Sequence, residues 1–180
     1  MEWMHSSYEK NTAYPEQLIH KTITGEKVRS KSEAFIYSCL IAKKIPFRYE
    51  CALHLDKKTY YPDFTIRHPR TGELIYWEHF GKMDDRGYAR KTYAKLEHYQ
   101  YHGIIPSVNL ITTYETSEHP LSFEEVETIV ERWFPESERE AAGKLRRFRT
   151  PSSRYHRNNV PQQKPSIAMN NCTWYFLTEY

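Results

Sequence analysis

The chain has 180 residues, with 26 Lys and Arg against 23 Asp and Glu and a formal charge of +3. That suits one folded domain with a mildly basic surface, and nucleic acid is permitted as a partner without being demanded. Three cysteines with no CxxC pair exclude a disulfide framework and a cysteine-rich zinc module. No apolar run approaches the ~18 residues of a membrane span, and Met1-Glu2-Trp3-Met4-His5 lacks a secretory pattern, so a cytoplasmic protein with no membrane partner is expected.

Residues 1–29 read as a polar N-terminal extension, with a short hairpin around Gly25. Ser30 and Glu33 have the S-x-x-E spacing of a capping box, and Phe35, Ile36, Cys39 and Leu40 follow at helical spacing until Pro46 closes the helix. Residues 47–55 read as one strand leading into the strand that carries Asp63. A turn over His68-Pro69-Arg70-Thr71-Gly72 returns the chain along a strand through Ile75 to Phe80. A long helix is expected over residues 86–101, ended by Gly103 and Pro106. Residues 108–114 form a compact apolar and β-branched run, expected as a buried strand. Ser122 then caps a helix that runs to Trp133 before Pro135.

Beyond that point the composition changes. Residues 135–180 form a basic extension, with a short helix expected from 136 and six Lys or Arg between 144 and 157, read either as a solvated tail or as a nucleic-acid arm. Residues 158–170 are rich in Asn, Gln, Pro and Ser, whereas the aromatic stretch at 173–177 is too apolar for a free tail and is expected to dock on the body or on a protein partner. The order helix, three strands, helix, strand, helix over 30–134 is an α/β layer pattern.

Two acids interrupt the strand-like runs Tyr60-Tyr61-Pro62-Asp63-Phe64 and Tyr76-Trp77-Glu78-His79-Phe80. If the hairpin turns about Arg70 and Thr71, antiparallel pairing sets Asp63 directly opposite Glu78. Opposed residues hold their Cβ atoms roughly 5 Å apart, where like charges destabilise a sheet unless a cation lies between them. Hard oxygen ligands at that separation suit Mg²⁺. A bulge at Gly72 would turn this cross-strand pair into a diagonal one.

A helix Glu, then Pro-Asp, then an acid on the next strand, in α-β-β-β-α-β-α order, resembles the PD-(D/E)XK, or restriction-endonuclease-like, nuclease superfamily. The resemblance covers roughly residues 18–134 and implies an αβββαβα core with a central mixed four-stranded sheet flanked by helices. It makes Glu33, Asp63 and Glu78 the catalytic acids. Phe80 departs from the pattern, standing where the motif places its lysine. Branches that move this lysine to the following helix point to Lys95, then Lys91, with Lys82 third. Tyr88, Lys91, Lys95, Tyr99 and His102 share one helical stripe.

The implied activity is that of an endodeoxyribonuclease dependent on Mg²⁺, or on Mn²⁺ as a substitute. Asp63, Glu78 and the backbone carbonyl of His79 would hold the metal, with Glu33 acting through water or a second ion. Arg86, Arg90, Lys91, Arg146, Arg147 and Arg149 would meet DNA phosphates, and duplex cleavage suggests a homodimer. The alternative is a catalytically inactive nucleic-acid-binding or assembly module of the same fold, with Phe80 marking the loss of catalysis.

Taken singly, these residues also have structural readings. Glu33 can be a helix cap, and Lys91 and Lys95 ordinary surface lysines. His79 should face away from Glu78, and the histidines lack HxH or HExxH spacing, so no His-metal site is expected.

Overall fold

The computed structural model of the chain describes residues 2–137 and Arg139; the expectations placed on Arg146, Arg147, Arg149 and the rest of the C-terminal extension lie outside the described residues. The elements are helix α1 (Glu2–His5), a 3-10 turn (Pro15–Gln17), strands β1 (His20–Lys21) and β2 (Lys27–Val28), helix α2 (Lys31–Ala42), strands β3 (Phe47–Tyr49), β4 (Leu53–Leu55), β5 (Lys58–Tyr60), β6 (Phe64–Arg67) and β7 (Leu74–Phe80), helix α3 (Arg86–Tyr101), strand β8 (Leu110–Tyr114) and helix α4 (Phe123–Trp133). The fold is mixed α/β. Its main sheet has four strands in the order β3-β6-β7-β8, antiparallel at the first two junctions and parallel at the last.

Side-chain alternation divides this sheet cleanly. Phe64, Ile66, Ile75 and Trp77 join Ile36, Leu40, Val126, Val130 and Phe134 of the α2 and α4 segments in the larger core. The opposite face carries Tyr76 and Leu110, covered by Leu96, Tyr99 and Ile104 and by Leu53, Leu55 and Tyr60. Helix α3 and the β4–β5 hairpin therefore lie on the same side of the sheet.

The single strand expected over residues 47–55 is corrected by the structure. The chain leaves the sheet after Tyr49, where Glu50 takes a left-handed φ of 47°, and forms the separate hairpin β4–β5 before re-entering at Phe64. No glycine marks either Glu50 or Asp56, whose φ is 53°, so neither break is signalled by residue type. Glu50 is held instead by its partners. Its buried carboxylate takes two bonds from Arg29, at 2.6 and 3.1 Å, and Arg29 also donates to the backbone oxygens of Ala13 and Tyr14.

The other elements follow the sequence closely. Gly25, at φ 90°, turns the β1–β2 hairpin, and Gly103, at φ 74°, follows α3. The strand expected over 108–114 begins at Leu110, with Val108 exposed. Ser122 and Glu125 complete a reciprocal capping box on α4. At α2 the box is only half made: Ser30 Oγ accepts the Glu33 N–H, but the Glu33 carboxylate reaches Arg29 N rather than Ser30 N. Among the described residues no helix is long and apolar enough to cross a membrane.

Candidate active site

The β6–β7 hairpin has the register that aligns Asp63 with Glu78. Phe64 pairs with Trp77 and Arg67 with Leu74, and the turn closes on a His68 N–H to Glu73 carbonyl bond of 2.8 Å. Gly72 adopts φ 79° inside the turn, accommodating it without shifting the ladder. One position beyond Phe64 and Trp77, Asp63 Oδ2 accepts a 2.6 Å bond from the backbone N–H of His79. Alternation turns Glu78 onto the α3 side, with Tyr76 and Phe80, and His79 onto the other.

Helix α3 supplies the partners of Glu78. Lys95 Nζ lies 2.6 Å from Glu78 Oε1, and the hydroxyl of fully buried Tyr99 donates to the same oxygen at 2.7 Å. Lys95 and Tyr99 sit four residues apart on one helical face, so a single helix orientation delivers both. Lys91 is exposed, as are Lys82, Arg86 and Arg90, which leaves Lys95 as the α3 lysine that meets the acids. Phe80 is buried and stacks on Tyr114 with ring centroids 5.4 Å apart. The motif-lysine position is thus a packing position here.

Glu33 reaches the same region from α2. Its Oε2 accepts from Tyr49 Oη at 2.6 Å and from Arg29 N at 3.1 Å, and its Oε1 accepts from Ser30 Oγ at 2.8 Å. Both of its oxygens are occupied by protein donors.

The electrostatics tie these groups together. The half-buried Asp63 carboxyl is pushed well above the usual carboxylate range, first by burial and then by the charges of Glu78 and Glu33; Lys95 and the His79 N–H pull it back. Burial works against the Lys95 charge, yet Glu78 and Asp63 outweigh it and raise the ammonium above its ordinary value. Burial and the neighbouring Glu78 push the Tyr99 phenol far up, so it remains a hydrogen-bond donor. Three carboxylates and one ammonium therefore share a single field.

The reverse face of β7 holds the strand in place. Thr113 Oγ1 accepts from Trp77 Nε1 at 3.0 Å and shares a second hydrogen bond with His79 Nδ1, also 3.0 Å away. The other ring nitrogen, Nε2, faces Glu115 Oε1 at 3.4 Å. Glu115 also accepts from Ser32 Oγ at 2.7 Å and from Leu121 N at 3.0 Å. Gly81 lies close beside it: a Cβ there would be 3.2 Å from Glu115 Oε1, a tight contact that would press on this carboxylate.

Sequence reasoning did not single out Tyr49, Tyr99 or Glu115 as partners of the site. Tyr99 alone left a signal, through its place on the Lys91–Lys95 stripe. No family model matches the chain, and no curated protein or solved structure shows significant similarity to it.

Proposed function

We propose that the chain is a divalent-metal-dependent endodeoxyribonuclease with a restriction-endonuclease-like core spanning residues 30–134. The observation that carries this reading is Asp63 beside Glu78 with Lys95 bonded to Glu78: two strand acids and a lysine, converging from a hairpin and the following helix. With all three acids ionised, three carboxylates against one ammonium leave a net charge of −2, which one divalent cation neutralises. The Asp63 carboxyl is raised first by burial and then by the charges of Glu78 and Glu33, a direction that a bound cation would oppose.

The donor set fits a hard cation such as Mg²⁺ or Mn²⁺. One oxygen of Asp63 and one of Glu78 are fixed by protein donors, and the second oxygen of each is the one offered to the metal, together with the His79 carbonyl. Bound there, the ion would lower the pKa of water and neutralise charge on the scissile phosphate. Glu33 contributes its charge and a water contact, since direct ligation would require it to give up Tyr49 or Ser30.

Lys95 stays protonated and faces the substrate side of Glu78, where its ammonium offsets charge developing on the phosphate and orients the attacking water. Water forms a new P–O bond as the bond to the departing sugar oxygen breaks, and no covalent enzyme intermediate is needed. Arg86, Arg90 and Lys91 lie exposed on the first half of α3, placed for contacts to flanking phosphates.

The test is nicking of supercoiled plasmid by the purified chain with Mg²⁺ or Mn²⁺, its loss with EDTA, and its loss in Asp63→Asn. Metal-independent cleavage, or full activity in that variant, would sink the assignment. Buried Phe80 favours one second reading, a nucleic-acid-binding module without catalysis. It predicts DNA binding that Lys91→Ala weakens and no cleavage with any divalent ion.

A further inference from the structure

A second cluster of metal-ligating side chains lies at the other end of α3. His98 and His102 stand four residues apart, and Asp56 approaches from the β4–β5 turn; one donor atom from each falls within 4.8 Å of the other two. His98 and His102 have the i, i+4 separation of HExxH with Tyr99 where that motif has its Glu, so a motif search passes them over, and the cluster is the observation that bears against the expectation of no histidine metal site.

The hydrogen bonds at His102 state the chemistry. Its Nδ1 lies 2.9 Å from the backbone oxygen of His98, and its Nε2 lies 2.9 Å from Asp56 Oδ2. Carbonyl and carboxylate oxygens only accept, so the ring proton belongs on Nδ1. Nε2 then needs either a second proton or a cation shared with Asp56. A backbone carbonyl fixing the far nitrogen is the arrangement by which proteins orient a metal-bound imidazole. A second observation agrees: His98 Nδ1 is buried and has no hydrogen-bond partner among the described residues, so this ring carries a nitrogen that no protein group satisfies. The two rings are 4.5 Å apart between centroids, and the Asp56 side chain is 67% exposed, which gives an ion a way in.

We propose that Asp56, His98 and His102 form a site for a zinc-class transition metal, separate from the acid site, that fastens the β4–β5 hairpin to α3. Two imidazoles and one carboxylate suit Zn²⁺ far better than Mg²⁺. Tetrahedral zinc with bonds of about 2.0–2.1 Å spaces its ligand atoms about 3.4 Å apart, so the 2.9 Å contact of His102 Nε2 with Asp56 Oδ2 would open slightly and give way to the ion. Water takes the fourth position. The two elements already meet through Tyr60, whose ring packs against both His98 and Tyr99. A bound ion would lock the stretch of helix that carries Lys95 and Tyr99.

The experiment is calorimetric titration of untagged, EDTA-stripped full-length protein with Zn²⁺ alone, with Co²⁺ absorption as a second readout. The expected result is one ion per chain, a higher melting temperature, and a Co²⁺ spectrum without a thiolate charge-transfer band. His102→Gln and the surface substitution Asp56→Asn should each weaken binding by about tenfold or more, and Asp63→Asn should leave it unchanged. Because the readout is binding, failure of the nuclease reading would not touch it. Absence of Zn²⁺ binding, binding indifferent to both His102→Gln and Asp56→Asn, or binding lost with Asp63→Asn would each overturn the proposal.

Discussion

Lys95 and Glu78 form an ion pair across the contact between α3 and β7, with Nζ 2.6 Å from Oε1 and the carboxylate almost fully buried. The helix thus brings its positive charge to the one acid that the sheet turns toward it, and Tyr99 fixes the shared oxygen from below.

Lys95→Ala should reduce Mg²⁺-dependent DNA cleavage by roughly 100-fold or more, the scale of a lost positioned donor. Lys91→Ala should leave the maximal rate within a few-fold and instead weaken DNA binding with a shallower salt dependence. Plasmid nicking at saturating and limiting DNA separates the two. Melting temperatures should accompany the rates, because an unpaired Glu78 costs the Lys95 variant roughly 1–3 kcal/mol.

Asp63→Asn should abolish cleavage yet stabilise the metal-free protein at neutral pH by a few degrees, roughly 2–4 °C. The sign follows from the raised carboxyl of Asp63. Below the unfolded carboxylate pKa both states are protonated and the group costs nothing; its penalty grows as pH rises through the raised folded value. The stability difference between variant and wild type should therefore widen from about pH 4 upward, read by thermal denaturation across pH. A constant difference would count against the shift.

Mg²⁺ or Mn²⁺ should raise the melting temperature of the wild type by supplying the charge that the acids lack, with a dependence on ion concentration set by affinity. Asp63→Asn and Glu78→Gln should each blunt that rise. Equal stabilisation of all three proteins would place the cation elsewhere.

Tyr99→Phe removes a single buried hydroxyl from Glu78 while keeping the ring. It should cost about 1–2 kcal/mol of stability and about tenfold in metal affinity or cleavage, since the carboxylate keeps Lys95 but loses its second fixed contact. Chemical denaturation and metal titration measure the two effects independently.

Glu115→Ala should destabilise the fold by about 1–3 kcal/mol, leaving Ser32, Leu121 and His79 short of an acceptor. Burial acts to raise the Glu115 carboxyl, but those donors outweigh it and hold it below its ordinary value. Its contribution is present above the unfolded pKa and lost as pH falls through the folded one, so the variant's deficit should shrink in acid. Denaturation midpoints at neutral and acidic pH check this.

The acid pair was legible from sequence because a hairpin with a short turn has one natural register, and a slip of one residue would have exposed Phe64 and Ile66. The choice of Lys95 over Lys91 was less determined. Both share a helical face, and only the depth at which α3 crosses β7, set by Tyr99 packing under the sheet, separates them. The β4–β5 hairpin was hidden because its breaks fall on Glu50 and Asp56, whose left-handed backbone is imposed by tertiary contacts rather than by glycine. The second arm of Glu33, to Tyr49, spans 16 positions and leaves no trace in local spacing.

The excursion between Glu50 and Asp63 closes on itself. Tyr49 pairs with Phe64, and the Glu50 N–H binds the Asp63 carbonyl at 3.0 Å, so the two ends of the segment are stitched together before the hairpin begins. The backbone of Asp63 is held on one side by this stitch, and its side chain on the other by His79. The segment between the stitched ends is thus free to serve α3, through Leu55, Tyr60 and Asp56, while the acid at its exit takes its position from the stitch and from His79.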